Sequence, residues 1–281
     1  MKAFIVAAGY GTRNLPATKT LAKELFPIFD RTVMDFILDE CEEAGITDLV
    51  ILINRRKKAL EDYFDRDPEL EALLTKAGKK EELALIKRAT KFNVIFIRQQ
   101  EMKGTGHAIL SAKSLLQDAP FIAFFPDDII LGKIGGIKQL LEVYNQTKCS
   151  VLAAREELEN ISAYGVIEYK EQNNLSYVTR IVEKPKAGEI ESNLVSVGRF
   201  IYTPEFLEAL EEDYKSHTTG EFYPMGAMMS MAQKGKLFVK KLEGKVLDTG
   251  NHKAYLKTFL EYADSTPEGN QIINQFIENR K

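Results

Sequence analysis

Two hydrophobic rhythms run along the first half of the chain. Ala3–Ala8 is a compact apolar run closed by Gly9, the pattern of a strand buried on both faces. Leu49–Ile53, Asn93–Ile97 and Phe121–Phe125 repeat it, the last closing on Pro126-Asp127-Asp128. Between them the period lengthens. Residues 33–44 place Met34, Ile37, Leu38 and Cys41 on one helical stripe, with Gly45 as a stop signal. Lys57–Phe64, Pro68–Ala77, the charged stretch 79–90 and residues 107–116 also read as helices. Strand, helix, strand in this order predicts a parallel sheet covered on both faces, joined by right-handed crossovers.

The second half is more mixed. Short β-like segments at 149–155, 165–169, 177–182 and 194–202 are followed by helices near 204–213 and 221–234. Ala254–Tyr262 and Pro267–Asn279 read as terminal helices. The second of these carries Ile272, Ile273, Phe276 and Ile277 on one stripe, which is expected to pack on the core. No internal repeat, low-complexity tract or Gly/Ser linker divides the 281 residues, so one large domain or two intimate ones are expected. The β-rich stretch after about residue 160 marks a substrate-side subdomain.

Composition narrows the class. The 44% hydrophobic and 28% charged residues exclude long disorder. The longest nearly apolar run, Ala119–Pro126, is too short for a membrane helix, which needs about 20 residues. The opening apolar stretch ends too early, at Gly9, for a secretory signal. A net charge of −3 argues against nucleic-acid backbone binding. Cys41 and Cys149 lie far apart in apolar surroundings, so a reduced cytoplasmic protein without a thiolate metal site is expected.

The candidate chemistry starts at Ala7-Ala8-Gly9-Tyr10-Gly11-Thr12-Arg13, a glycine turn directly after a strand, where backbone N–H groups can approach phosphate oxygens. A tight turn alone would also explain two glycines. The dinucleotide fingerprint needs glycine at position 14, which is Asn, and no Gly-Lys in the chain is followed by Ser or Thr, as a P-loop requires. Arg13 adds a bidentate phosphate donor. Lys23 follows in a segment broken by Pro16 and Pro27, which can fold back to aim both cations at one place. Singly, each cation reads as a solvated surface group; together with the turn they read as a phosphate site.

Gly9-x-Gly11-Thr12-Arg13-x-Leu15-Pro16-Ala17-Thr18-Lys19, followed by Lys23-Glu24-Leu25-x-Pro27, resembles the signature of bacterial sugar-1-phosphate nucleotidylyltransferases. The spelling is most similar to that of the UTP–glucose-1-phosphate uridylyltransferases. The match continues through Asp62–Asp65, Glu69–Glu71, Arg98-Gln99, Lys103-Gly104-x-Gly106-His107-Ala108 and Pro126-Asp127-Asp128. It goes on through Tyr164–Val166, Val182–Pro185, Ser192–Leu194, Val197–Arg199 and Asp248-x-Gly250, spanning about residues 3 to 262.

The resemblance implies an α/β fold with a Rossmann-like, mixed, mostly parallel central sheet flanked by helices and a smaller β-rich sugar-side subdomain. One nucleotidyltransferase domain would cover 1–281, with a nucleotide part at about 1–160, a sugar part at about 161–250 and C-terminal helices at 251–281. It implies UTP and glucose 1-phosphate as substrates, UDP-glucose and pyrophosphate as products, Mg²⁺ as cofactor, and a homodimer or homotetramer. Arg13 and Lys23 would be catalytic. Ala7, Ala8, Gly9, Gly11, Thr12, Gln99 and Gly104 would hold the nucleotide, with the Gln99 amide suited to a uracil edge. Asp127, at the end of a strand, and Asp248 would bind the metal. Glu183 would meet hexose hydroxyls and Lys184 the sugar phosphate, with Gly165, Asn193 and Glu221 completing the pocket. His107 reads better as a helix-start residue near the base than as an acid–base group, and Asp128 as a structural neighbour of Asp127. One departure stands out: where these enzymes read D/N-E-I-Q-L/I-T-D-A, this chain has Gly220-Glu221-Phe222-Tyr223-Pro224-Met225-Gly226-Ala227. Another hexose 1-phosphate or dTTP is therefore an open alternative. So is a catalytically inactive UDP-sugar-binding regulator, against which retention of Arg13, Lys23, Asp127 and Asp248 argues. A dinucleotide oxidoreductase is disfavoured by the missing third glycine.

Overall fold

The computed structural model describes residues 1–280 except Ala187. In chain order the strands are β1 (Lys2–Val6), β2 (Pro27–Ile28), β3 (Arg31–Thr32), β4 (Asp48–Ile53), β5 (Asn93–Arg98), β6 (Phe121–Phe124), β7 (Asp128–Leu131), β8 (Ser150–Glu156), β9 (Gly165–Gln172), β10 (Leu175–Glu183), β11 (Leu194–Tyr202), β12 (Leu237–Lys241) and β13 (Lys245–Asp248). The helices are α1 (Val33–Glu43), α2 (Lys58–Phe64), α3 (Pro68–Lys76), α4 (Lys80–Arg88), α5 (Thr105–Ser111), α6 (Lys113–Leu116), α7 (Gly136–Thr147), α8 (Pro204–Ser216), α9 (Met225–Gln233), α10 (His252–Ser265) and α11 (Pro267–Glu278).

One nine-stranded sheet runs through the molecule in the order β5-β4-β1-β6-β11-β8-β12-β10-β9. The first four strands are parallel, as their apolar runs predict. The parallel run ends at β11, which pairs antiparallel with both β6 and β8. Beyond it only β8–β12 is parallel, and β9 and β10 form a hairpin. Hairpins need no crossover helix, which is why the second half lacks the strand–helix rhythm. Alternate residues of the buried strands feed cores on opposite faces. Phe4 packs with Ile109, Phe121, Phe206 and Met228, whereas Ile5 packs with Met34, Ile37, Ile122 and Leu140.

Several elements differ from the sequence pattern. The helix expected at 107–116 is two pieces, α5 and α6, interrupted at Ala112. The helix expected from 221 starts only at Met225, because the backbone of Phe222 is spent elsewhere: its N–H donates to the Lys103 carbonyl at 2.7 Å and its carbonyl accepts from Gly106 N–H at 2.9 Å. The stripe on α11 does not enter the core. Ile272, Phe276 and Ile277 are exposed, because α11 packs along α10, where Gly269 meets the end of that helix, and away from the sheet. Helix α7 and strands β7, β12 and β13 add to the predicted set, and β7 pairs with β13 as a separate two-stranded ladder. Cys41 and Cys149 are both free. No helix among the described residues is long and apolar enough to cross a membrane.

Candidate active site

The parallel strands end on one edge of the sheet, the edge where ligands gather in open α/β folds. From β1 the chain enters the glycine turn. Ala7 and Ala8 are buried there, held by an Ala7 N–H bond to the Leu52 carbonyl at 2.8 Å and by the Asn54 side-chain amide donating to the Ala8 carbonyl at 2.5 Å. Gly11 has φ +65, and a Cβ there would lie 2.9 Å from the Thr18 methyl, whose hydroxyl donates to the Gly11 carbonyl at 2.7 Å. Glycine is thus required by both backbone and space. Thr12 and Arg13 follow on the exposed rim.

The carboxylate of Asp127, presented after β6, collects the predicted cations. Lys23 Nζ pairs with its Oδ1, and Arg13 Nη2 lies 3.5 Å from its Oδ2. Burial alone would lower the Lys23 ammonium, but Asp127 and then Glu24 outweigh it and hold it above its ordinary value. Burial would raise Asp127, but Lys23 and Arg13 hold its carboxyl below the usual range. The Asp127 carbonyl accepts from the Thr249 N–H at 2.8 Å and hydroxyl at 2.9 Å, which docks the 248–250 turn beside it. In the β7–β13 ladder Asp248 is the register partner of Asp128, so the two proposed metal carboxylates sit on adjoining strand ends. The Gly250 N–H donates to Asp248 Oδ1 at 2.6 Å. Asp128 turns away, accepting from Gly198 N–H at 2.8 Å; burial first, then nearby carboxylates, push it to about 6.

Behind Lys23 lies a pair that sequence reasoning missed. Glu24 is fully buried and accepts from Lys57 Nζ at 2.6 Å, while its Oε1 has no partner. Lys57, itself buried, is lowered by burial against the pull of Glu24. Arg199 was also missed as a support. Its guanidinium is 0% exposed, binds Glu40, and donates to the carbonyls of Phe125 and Asp128 on either side of the Pro126-Asp127 turn. A chain of single residues gives no signal for such pairs; only the folded contact does.

Gln99, after β5, is buried with its amide 3.3 Å from His107 Nδ1 in the first turn of α5. Gly104 has φ +97, and a Cβ there would lie 2.5 Å from the Phe222 carbonyl oxygen. On the other side, a Cβ on Gly165 would lie 3.1 Å from Glu183 Oε2. The Lys184 ammonium is 3.7 Å from Glu183 Oε1 and 5.8 Å from the centre of the Tyr223 ring. The Tyr223 hydroxyl donates to Glu221 Oε2. Thus Gly165, Glu183, Lys184 and Glu221 are brought together, whereas Asn193 is exposed and tied to Glu157 only through its carbonyl. Tyr164 holds the backbone of the Lys184 group. Its carbonyl accepts from Lys184 N–H at 3.0 Å, and its phenol is raised first by burial and, with Arg155 opposing, also by Asp248.

Asp127 and Asp248 are hard oxygen donors near Arg13. Among the described residues no group of three or more metal-ligating side chains forms, so a divalent ion here would need substrate oxygens or water as well. Two carboxylates plus phosphate oxygens is the donor set that suits Mg²⁺.

Comparison with known proteins identifies the family. A family model described as "Nucleotidyl transferase" matches residues 2–265. The UTP–glucose-1-phosphate uridylyltransferase of Staphylococcus epidermidis is 39% identical over 280 residues, covering 99% of this chain and 97% of its own. Among solved structures, a UDP-glucose pyrophosphorylase complexed with UDP-glucose aligns with TM-score 0.84 at 32% identity, over 94% of this chain and 99% of that one. A UTP-bound UGPase from Acinetobacter baumannii aligns with TM-score 0.88 at 29% identity, over 100% and 99%. A near-complete family match, a near-complete relative and a shared fold, converging on a chain whose cations and carboxylates meet at one sheet edge, establish that this chain belongs to the nucleotidyl transferase family.

Proposed function

We propose that the protein transfers the uridylyl group of UTP to glucose 1-phosphate, forming UDP-glucose and releasing pyrophosphate. The observation that carries this reading is the meeting of Arg13, Lys23 and Asp127 at the sheet edge, in a chain 39% identical to an enzyme of that name that also brings Glu183 and Lys184 together. An oxygen of the sugar phosphate attacks the α-phosphorus, and the bond to pyrophosphate breaks in line. No covalent enzyme intermediate and no acid–base side chain are needed, so the work is alignment and charge neutralisation. Arg13 and Lys23 exchange their Asp127 partner for triphosphate oxygens and take up the charge that develops on pyrophosphate. Ala8, Gly9, Gly11 and Thr12 line the phosphates, while Ala7, Gln99 and Gly104 hold the uracil. Lys184 meets the sugar phosphate; Glu183, Glu221 and Gly165 frame the hexose, and the exposed Asn193 stands apart from them. Asp127 and Asp248 would hold Mg²⁺, which supplies Lewis-acid neutralisation of phosphate oxygens when bound.

The nucleotide part is about 1–160 and the sugar part about 161–250, with α10 and α11 closing the chain. The exposed apolar side chains of α10 and α11, Leu256, Leu260, Ile272 and Phe276 among them, support a homo-oligomer. Two unpaired cysteines support a reducing, cytoplasmic setting. The altered segment 220–227 favours one second reading, the same chemistry on another hexose 1-phosphate. Pyrophosphate release should require UTP, a hexose 1-phosphate and Mg²⁺ together. A panel of nucleotides and hexose 1-phosphates, compared by kcat/KM, should rank UTP with glucose 1-phosphate first. A higher kcat/KM for another hexose would select the second reading. Binding of UDP-glucose without turnover of any pair would replace catalysis by a regulatory role.

A further inference from the structure

The departure at 220–227 has a definite structural form. The side chain of Phe222 is buried against Tyr214 and His217, with ring centroids 4.9 and 5.2 Å away. Its backbone is bonded to Lys103 and Gly106 on both sides. That anchor turns the two flanking residues, Glu221 and Tyr223, toward the opposite side, the side of Lys184. There the Tyr223 hydroxyl donates to one oxygen of Glu221 and the ring stands beside the Lys184 ammonium. The ammonium is directed there by an unusual backbone: Lys184 has φ +48, a conformation rarely taken by side-chain-bearing residues, maintained by its N–H bond to the Tyr164 carbonyl. Glu183, next to Lys184, faces Gly165, where the missing Cβ leaves room.

The geometry points to Tyr223 as the residue that sets the preference among hexose 1-phosphates in this chain, by fixing Glu221 and walling the pocket beside Lys184. This rests on the reaction proposed above. A free glutamate at the end of a surface segment could turn to meet a hydroxyl on either face of a pyranose. The bond from the phenol orients Glu221, so that its other oxygen is presented to a hydroxyl on one side, and an epimer inverted at that position leaves that oxygen unpaired. The cost of an unpaired acceptor is what lets a polar site separate sugars that differ at a single carbon. The Tyr223 phenol also lies within the field of Glu183, and its own ionisation is pushed up to about 12, by the Glu221 bond first. It therefore remains a donor throughout the working pH range. The ring contributes a flat apolar face, suited to the C–H face of a sugar, next to the cation that meets the phosphate.

The test is Tyr223→Phe, with Glu221→Gln as a second variant, assayed on the full chain. Glucose, galactose and mannose 1-phosphates are each varied against saturating UTP, and UTP is varied separately. Tyr223→Phe should raise KM for the favoured hexose 1-phosphate about tenfold and reduce its kcat/KM ratio over the disfavoured epimers by a similar factor. KM for UTP and the melting temperature should stay close to those of the unsubstituted protein. Glu221→Gln should give the same loss of preference, because the carboxylate is what the phenol positions. An unchanged preference ratio in Tyr223→Phe would overturn the inference while leaving the reaction intact. An equal rise in KM for UTP and for the hexose would also overturn it, since that is the mark of general structural damage. No turnover by the unsubstituted protein with any of the three sugars would overturn the reaction and this inference together.

Discussion

Replacing Arg199 by methionine tests the buried support under Asp127 directly. The guanidinium is 0% exposed; its Nε and Nη2 donate to Glu40 Oε1 at 2.9 and 2.7 Å, and Nη2 donates to the Asp128 carbonyl at 2.9 Å. Nη1 reaches the carbonyls of Gly198 at 3.1 Å and Phe125 at 3.3 Å. Glu40 is 4% exposed and its other oxygen accepts from Ile137 N–H at 3.1 Å. Methionine fills the space but leaves a buried carboxylate without its cation and takes the guanidinium bonds away from the Phe125 and Asp128 carbonyls, whereas the Gly198 carbonyl still accepts from the Phe125 N–H at 2.9 Å. Breaking a buried pair from one side costs about 3–5 kcal/mol, a large share of the roughly 5–15 kcal/mol that holds a typical domain. At a urea dependence of about 3 kcal/mol/M, the unfolding midpoint should fall by roughly 1–2 M. Arg199→Met with Glu40→Leu removes both charges, and should recover at least half of that loss. Urea titrations followed by far-UV circular dichroism measure both. A single variant within about 1 kcal/mol of the unsubstituted protein would refute the argument. So would a double variant less stable than the sum of its parts.

Two further outcomes follow from the site and one from the Glu71 pairing on α3. Lys23→Ala and Asp127→Ala should each lower turnover by about two to three orders of magnitude with the fold retained, and near-normal rates in both would reject their roles. Gly104→Ala places a Cβ 2.5 Å from the Phe222 carbonyl oxygen at φ +97, so KM for UTP should rise more than about tenfold in steady-state assays; an unchanged KM would remove Gly104 from the base pocket. Bonds from Arg66 first, then from Lys87, hold the Glu71 carboxyl at about 2, below its ordinary 4.5. Its contribution to stability is therefore present above about pH 4.5 and lost as pH falls toward 2. The melting-temperature gap between the protein and Glu71→Gln should be widest near neutrality and close at low pH, and a constant gap would contradict the pairing.

The half of the fold built from β1, β4, β5 and β6 follows from hydrophobic runs because β1, β4 and β6 are buried on both faces, the edge strand β5 still carries an apolar run, and the crossover helices carry stripes. The antiparallel half resists that reading. Strands such as β7 and β13 are only four residues long and are defined by each other. Local pattern also overstated the helix at 221–224, where long-range bonds from Phe222 to Lys103 and Gly106 overrule the helical period. The stripe of α11 shows the converse: an amphipathic period says that a helix has an apolar face, not that this chain covers it. Within the site, the glycine turn, Arg13, Lys23 and Asp127 are visible as motifs because backbone freedom and charge type are written in single residues. Lys57, Arg199 and the aim of Tyr223 depend on partners distant along the chain, such as Glu24, Glu40 and Lys184, and pairing of that kind is not encoded in spacing.

The strap that Phe222 makes across Lys103 and Gly106 gives the two halves of the site a common mechanical part. The loop that would close on a nucleobase cannot shift without carrying Glu221 and Tyr223 with it. Ordering that loop by one ligand thus performs part of the ordering the other would need. Such linkage is reciprocal: whatever factor a nucleotide adds to sugar-phosphate affinity, the sugar phosphate must return to the nucleotide. In the proposed site, cooperation between the two substrates would be a consequence of two backbone hydrogen bonds.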